Sequence, residues 1–334
     1  MSSPANVRYL ADYAGTNGLM LLTGSEAHFY TDPRYAIEVS EMKGVRVHVA
    51  KGPLIGAVAR LIKSRKLRKI GFEPAWLRYE DYAKLKDALP AGCRLQPAGK
   101  LVEEQRMVKS PAEIEKVRHS VRANSEAYLR TLRRVKMGAR EWDIAAELEY
   151  QMRILGAEKP AFETIVAAGA RSALPHARAT AHRLGENELL LIDMGAMLDG
   201  YASDMTRVVS TGEPSKPVRE MYRAVLEAQK AALDAVRPGA TAEEVDSVAR
   251  GVLNGHKLDK EFVHSTGHGL GLEIHEMPRI GKKVKTRLRA GMTITIEPGV
   301  YVKGVGGIRI EDTVLVTEKG CEVLTPTPKE FVQL

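Results

Sequence analysis

The sequence of 334 residues predicts an α+β protein in two parts, a small α/β domain over residues 1–100 and a larger domain over residues 101–334 built from two similar halves. Three observations lead there. Short apolar runs alternate with helical patterns through the first hundred residues. A strong helix start follows at Ser110. Beyond it, a ten-residue pattern recurs about a hundred residues later, each copy joining two helical patterns ahead of strand-like segments.

In the first part, the apolar runs Leu19–Thr23, His28–Tyr30, Val45–Val49 and Ile70–Phe72 read as strands, and Leu54–Ser64 and Tyr79–Ala88 as helices. Leu89–Gly99, with two prolines and two glycines, reads as a linker. The second part opens on Ser110-Pro111-Ala112-Glu113. A capping serine, a proline at the first helical position and a glutamate three residues after the cap together satisfy amides of the first turn, so a helix is expected to about Val135. Gly138 separates it from a second helix, Glu141–Leu155, which Gly156 ends.

The recurring pattern is Val135–Ile144, which lines up with Val236–Val245; the second copy carries its own capping box, Thr241 to Glu244. Helices followed by antiparallel strands are therefore expected twice, over about 110–213 and 214–334. Two cysteines, Cys93 and Cys321, exclude a disulfide framework and suit a reducing compartment. No apolar run approaches membrane-spanning length and no basic segment precedes an apolar one at the start, so a cytoplasmic protein is expected. The net charge is +8, but the basic clusters Lys63–Lys69, Arg130–Lys136 and Lys282–Arg289 are scattered and lack interleaved aromatics. They read as solvated faces, not as a nucleic-acid site.

The chemistry concentrates in His264–Glu311. Three of the nine histidines fall within twelve residues, in HSTGHGLGLEIHE, and two glutamates, Glu297 and Glu311, each end an apolar run. Upstream, the strand Leu189–Ile192 runs into Asp193, and Asp199-Gly200 is a two-residue hairpin signal. Centred there, residues whose numbers sum to 399 face each other. Asp204 then lies opposite Gly195, and Asp193 becomes its diagonal neighbour at a Cβ separation of roughly 7 to 8 Å or less. Two inward carboxylates so close call for a cation or a proton. In the second half, Glu297 and Glu311 are equidistant from Gly304, so a hairpin through KGVGG places them opposite each other, although Pro298 leaves that register open. His268 sits between two glycines that let backbone approach. Four carboxylates with imidazoles form the oxygen and nitrogen donor set of divalent cations and point to a two-metal hydrolase.

The set Asp193 in IDMGA, Asp204 in YASDMTR, His268 in STGHGLGLEIHE, Glu297 in ITIEPGVY and Glu311 in IRIED closely resembles that of the dinuclear pita-bread metallopeptidases, in particular the Xaa-Pro aminopeptidase and prolidase branch. NVRYLADYAG and FYTDPRY resemble the creatinase-type N-terminal domain of that branch. The resemblance implies two divalent ions held by the five residues, commonly manganese, cobalt or zinc, with the ions activating a water and stabilising the tetrahedral oxyanion. It implies that Glu297 also shuttles a proton, and that His176, His264 and His275 contact substrate. Arg309 matches a family arginine near the metals. Phe162 and Arg279 are candidates for the proline pocket and the substrate carboxylate. The implied reaction is hydrolysis of the Xaa-Pro bond at the N-terminus of short peptides, by a homodimer. The chain starts only five residues before the NVRYL segment, where the family usually has a further helix and strand, so a shortened N-terminal domain is expected. Rival readings are a non-proline-specific metalloaminopeptidase, methionine aminopeptidase included, a metal-free creatinase-like hydrolase, and a non-catalytic binding protein on the same scaffold. The complete ligand set disfavours the last two.

Overall fold

In the computed structural model, which describes residues 1–334, the unit Met1–Arg106 is organised on a three-stranded sheet. Leu19–Leu22 and Ala27–Thr31 pair antiparallel, and Arg46–Val49 adds in parallel. Helix α1 (Pro4–Ala11) is capped by Ser3, α2 (Leu54–Ser64) buries Leu54, Ile55, Val58, Ala59 and Ile62 along one stripe, and α3 (Tyr79–Ala88) and α4 (Leu101–Arg106) follow. Both helices expected in this part form over the residues expected. The linker reading of Leu89–Gly99 is corrected. Arg94–Pro97 pairs in parallel with Lys69–Phe72, and the Arg94 and Ala98 N–H groups reach the Arg68 and Phe72 carbonyls at 2.8 Å. Proline and glycine flank a short strand there, and Pro97 ends it.

The unit Met107–Leu334 has four helices: α5 (Pro111–Leu132), α6 (Glu141–Ile154), α7 (Lys216–Ala235) and α8 (Ala242–Gly255). Helices α5 and α8 begin with capping boxes at Ser110/Glu113 and Thr241/Glu244. Each helix pair is followed by antiparallel strands, the twofold order expected from the repeat. In the first half, Met205–Ser210, Leu189–Met194 and Ile165–Ala168 lie side by side, and Val332–Gln333 from the C-terminus joins the outer edge. In the second, the order is Glu276–Ile280, Gly267–Gly269, Thr293–Ile296, Asp312–Val316 and Cys321–Val323.

Strand alternation places the site. Leu190, Ile192 and Met194 pack against α5 and α6 residues such as Tyr128, Ile144 and Leu148, whereas Leu189 and Leu191 face a second core with α7, α8, Ile294, Ile296 and Ile308. Burial on both faces explains the unbroken apolar run. Asp193, two residues beyond Leu191, shares the second face, the one turned toward the other half.

Candidate metal centre

Both hairpins keep the register that their turns dictate. Asp199 and Gly200 have φ of 51° and 80°, as a two-residue turn between twisted strands requires, and Tyr201 pairs with Leu198, Met205 with Met194 and Thr206 with Asp193. In the second half, Val302 pairs with Gly306, Gly299 with Arg309 and, beyond Pro298, Ile296 with Asp312. The numbers sum to 608 on both sides of the proline, so Glu297 and Glu311 are opposed. Pro298 donates nothing to the ladder, yet its carbonyl accepts the Ile310 N–H at 3.4 Å. Asp204, Glu297 and Glu311 each lie where a strand is interrupted, which frees their side chains to converge.

His268 Nε2 lies 3.5 Å from Asp204 Oδ2 and 3.4 Å from Glu297 Oε1. Donor atoms of Asp204, His268 and Glu311 all fall within 4.8 Å of one another. The His268 Nδ1 faces the Gly269 carbonyl at 3.0 Å, which assigns its proton there and leaves Nε2 as the ligating nitrogen. A Cβ at Gly267 would stand 1.9 Å from the Thr295 carbonyl oxygen and one at Gly269 2.3 Å from that of Met277, so only glycines let this strand sit where it does.

Polar groups of both halves orient the carboxylates. Thr206 donates its hydroxyl to Glu311 Oε2 at 2.6 Å, and Thr295 donates to Glu297 Oε1 at 3.1 Å. The Arg309 guanidinium binds Asp193, the Thr206 hydroxyl and the Tyr301 hydroxyl. His264 Nδ1 faces the Ser265 carbonyl at 2.8 Å, so Nε2 accepts from Tyr301 at 2.9 Å. His275 stands edge-on to His268 with ring centroids 4.3 Å apart. Arg279 is exposed and pairs directly across from His268. Phe162 lies against Gly195, two residues past Asp193, where its ring would be 2.7 Å from an added Cβ. His176 is exposed on the 169–180 loop.

The donor set fits a pair of cations. Asp193 Oδ1 and Asp204 Oδ1 are buried with no hydrogen-bond partner, a costly arrangement that coordination would relieve. Burial, then the charges of Glu311, Asp193 and Glu297, holds the Asp204 carboxyl well above its ordinary range, and burial with Glu297 and Asp193 does the same to Glu311. Burial pushes Glu297 up to about 7, opposed by Arg309 and reinforced by Asp193.

Comparison with known proteins decides the family. Residues 115–318 match the model of metallopeptidase family M24, and residues 1–108 that of the creatinase/prolidase N-terminal domain. The chain belongs to metallopeptidase family M24. An Xaa-Pro dipeptidase of Pyrococcus furiosus is 37% identical over 99% of this chain and 94% of its own length. A solved Xaa-Pro dipeptidase from Bacillus anthracis superposes with TM-score 0.96 at 38% identity, covering 99% of this chain and 93% of that one. The X-Pro aminopeptidase of Thermotoga maritima does so with TM-score 0.93 at 36% identity, over 100% and 95%. The fold is thus the creatinase-type domain followed by the M24 pita-bread domain. No helix of this M24 protein is long and apolar enough to cross a membrane.

Sequence reasoning missed the second rank of M24 residues. Thr206, Thr295 and Tyr301 lie within YASDMTR and ITIEPGVY, but nothing in those segments marks their hydroxyls as working groups; only the folded hairpins bring them to Glu311, Glu297 and His264.

The raised carboxyls make the metal-free protein sensitive to pH. Each binds protons more readily folded than unfolded, so its contribution is present below the unfolded value of 4.5 for glutamate and is lost as pH rises, through about 7 for Glu297. His264 and His275, pressed down to about 4 chiefly by desolvation, act oppositely, losing stability as pH falls from 6.5. The trends oppose one another between about 4.5 and 6.5; above that, the carboxyls are opposed by the single Met1 amine, which burial holds below its ordinary 8.0, and the three carboxyls together outweigh it. The metal-free protein is expected to melt at progressively lower temperature from pH 6.5 to about 8, with saturating divalent metal abolishing the decline. A flat metal-free profile in differential scanning calorimetry contradicts this.

Proposed function

We propose that this chain is a two-metal peptidase that hydrolyses the Xaa-Pro bond at the N-terminus of short peptides, with manganese as the preferred ion and cobalt or zinc able to substitute. The observation that carries it is the convergence of Asp204, Glu297 and Glu311 on His268, together with a buried, partnerless oxygen on each of Asp193 and Asp204, on a chain whose similar proteins include Xaa-Pro dipeptidases over nearly its full length. Asp193, Asp204, His268, Glu297 and Glu311 would hold the ions. Bound there, two cations supply an activated water and charge stabilisation for the oxyanion.

The other roles belong to the chain's own groups. Glu297 takes the proton of the attacking water and returns it to the leaving nitrogen. Arg309 holds Asp193 and, through Tyr301, the acceptor face of His264. His176, His264 and His275 line the substrate side; His176 and His275 orient the scissile carbonyl, and His264, whose Nδ1 and Nε2 are engaged by the Ser265 carbonyl and the Tyr301 hydroxyl, meets substrate with its ring. Phe162, over Gly195, offers an apolar wall to the proline ring. The working form is a homodimer in the cytoplasm acting on proline-containing peptides.

Metal analysis of purified protein, combined with a panel of Xaa-Pro and Xaa-Ala peptides, tests this reading. Hydrolysis indifferent to replacing the second-position proline by alanine removes the proline specificity; activity without bound metal removes the mechanism.

Arg279 sets substrate length. It pairs with His268 across the ladder and is open to solvent, which supports a role in which its guanidinium swings from the Lys282 carbonyl to take the free carboxylate of an Xaa-Pro dipeptide through a charge-assisted pair. Both Xaa-Pro and Xaa-Pro-Yaa peptides are expected to be cleaved. Arg279→Ala should cost the dipeptide about tenfold in kcat/KM, the factor that about 1.4 kcal/mol represents, and the tripeptide less. Equal losses on the two peptides would remove the clamp.

A further inference from the structure

Each half of the M24 unit buries one carboxylate on its second helix, outside the metal cluster. Glu141 on α6 is 1% exposed and Asp246 on α8 is fully buried. Glu141 Oε2 accepts from both the N–H and the hydroxyl of Thr180, at 2.8 and 2.7 Å, while Oε1 accepts from the Ala168 N–H and from Arg171 Nε, both at 2.9 Å. Asp246 Oδ1 accepts from both the N–H and the hydroxyl of Thr266, at 3.2 and 2.8 Å, and Oδ2 from Arg250 Nε at 2.8 Å. In each half the arginine reaches on to a carbonyl beside a site histidine. Arg171 Nη2 binds the Arg178 carbonyl at 2.7 Å, two residues past His176, and Arg250 Nη2 binds that of His264 itself. The two halves thus repeat one device of carboxylate, threonine and arginine, although Glu141 and Asp246 fall at different places in their helices.

The first copy governs the part of the site with least support of its own. After the turn Gly169–Ala173, the loop exposes Leu174, His176 and Arg178 and buries only Ala177. Little apolar area holds it, so its place depends on polar anchors. They include Glu141, the Ser172 hydroxyl accepting the Gly307 N–H at 2.8 Å, Arg309 donating to the Pro175 carbonyl at 3.2 Å, and Trp142, whose indole N–H reaches the Ala179 carbonyl at 2.8 Å and whose backbone N–H reaches that of Thr180 at 3.1 Å; of these only Glu141 is a buried carboxylate. Charge-assisted bonds to a buried carboxylate are short and directional, which suits fixing an imidazole to a fraction of an ångström.

We propose that Glu141 is a positioning residue that holds His176 over the metal cluster by fixing the 168–180 loop, and that Asp246 does the same for the segment bearing His264. The proposal rests on the reading that His176 faces substrate. Misplacement on this scale costs up to about 10²-fold in rate.

The test uses the metal-loaded full chain and an alanyl-proline dipeptide. Glu141→Gln turns an acceptor into a donor facing Thr180 and Arg171, and is expected to lower kcat/KM by roughly 10- to 100-fold with metal content unchanged. Thr180→Val, which removes the hydroxyl alone, should lose about tenfold, and Thr180→Ser, which keeps both donors, should rescue it. The deciding measurement is a double-mutant cycle. In an H176A background, E141Q and T180V should add no further loss. Multiplying losses, a fall in metal content, or a valine variant as active as the serine one would overturn the proposal. So would an H176A variant of normal kcat/KM, and that result would remove the role of His176 while an inactive Asp204→Asn left the two-metal reading standing.

Discussion

Asp204→Asn should give a folded protein that has lost most of its bound metal and at least about a hundredfold of its peptidase activity, beyond the roughly 10- to 100-fold typical of changes to groups behind the ligands. Asp204 stands within reach of both His268 and Glu311, and one of its oxygens is buried without a partner. The amide keeps the shape, removes a negative charge and turns one oxygen into a donor facing other donor atoms of the cluster. Metal binding weakens for want of charge and of a lone pair. The fold should survive, because the backbone contact here is made by the Asp204 carbonyl, which accepts the Thr313 hydroxyl at 2.8 Å whatever the side chain. The metal-free variant should even melt above metal-free wild type near pH 8, since one member of a repelling cluster is neutral. Unchanged metal content and turnover would take Asp204 out of the ligand set.

Much of this centre was legible because hairpins are local objects. Asp199-Gly200 admits one turn type, and that turn fixes a register carrying Asp193 and Asp204 to adjoining positions. The KGVGG turn did the same for Glu297 and Glu311, and the uncertainty over Pro298 dissolved because the proline stands at an interruption where no N–H is required. Capping boxes and the twofold order of elements were likewise written in short patterns. What escaped reading depends on long-range contact. Glu141 looks like an ordinary acidic residue in a helix's first turn, where it would complement the dipole in solvent. Its four donors lie 27 to 39 residues away, so its burial follows from tertiary packing alone. The strand Arg94–Pro97 was hidden for a related reason, since its partner Lys69–Phe72 lies across α3 and its own residues alternate weakly. Tyr301 was visible as a letter in the motif, but its service to both Arg309 and His264 required their juxtaposition.

Glu297→Gln separates proton transfer from binding. Glu297 is more open than Asp204 or Glu311, with 15% of its side chain exposed against 6% for Asp204 and a buried Glu311, and unlike Asp193 it is not tied to Arg309: its Oε1 is held by Thr295 and lies 3.4 Å from His268 Nε2. A group so placed can exchange a proton with a water and a leaving nitrogen, while Glu311, held by Thr206 from the first half, is closed off within the core. General acid–base catalysis contributes typically about 10²- to 10⁴-fold, and only on the way to the transition state. The expected result is therefore a fall in kcat of that size with KM changed by no more than about threefold. The amide retains one oxygen to accept from Thr295, so partial metal occupancy should persist and be restored by excess metal, whereas kcat should not. Measuring kcat and KM at saturating manganese, with metal content determined on the same sample, decides the matter. A defect confined to KM, or a kcat recovered in full by added metal, would reduce Glu297 to a ligand and require the proton to travel through another group.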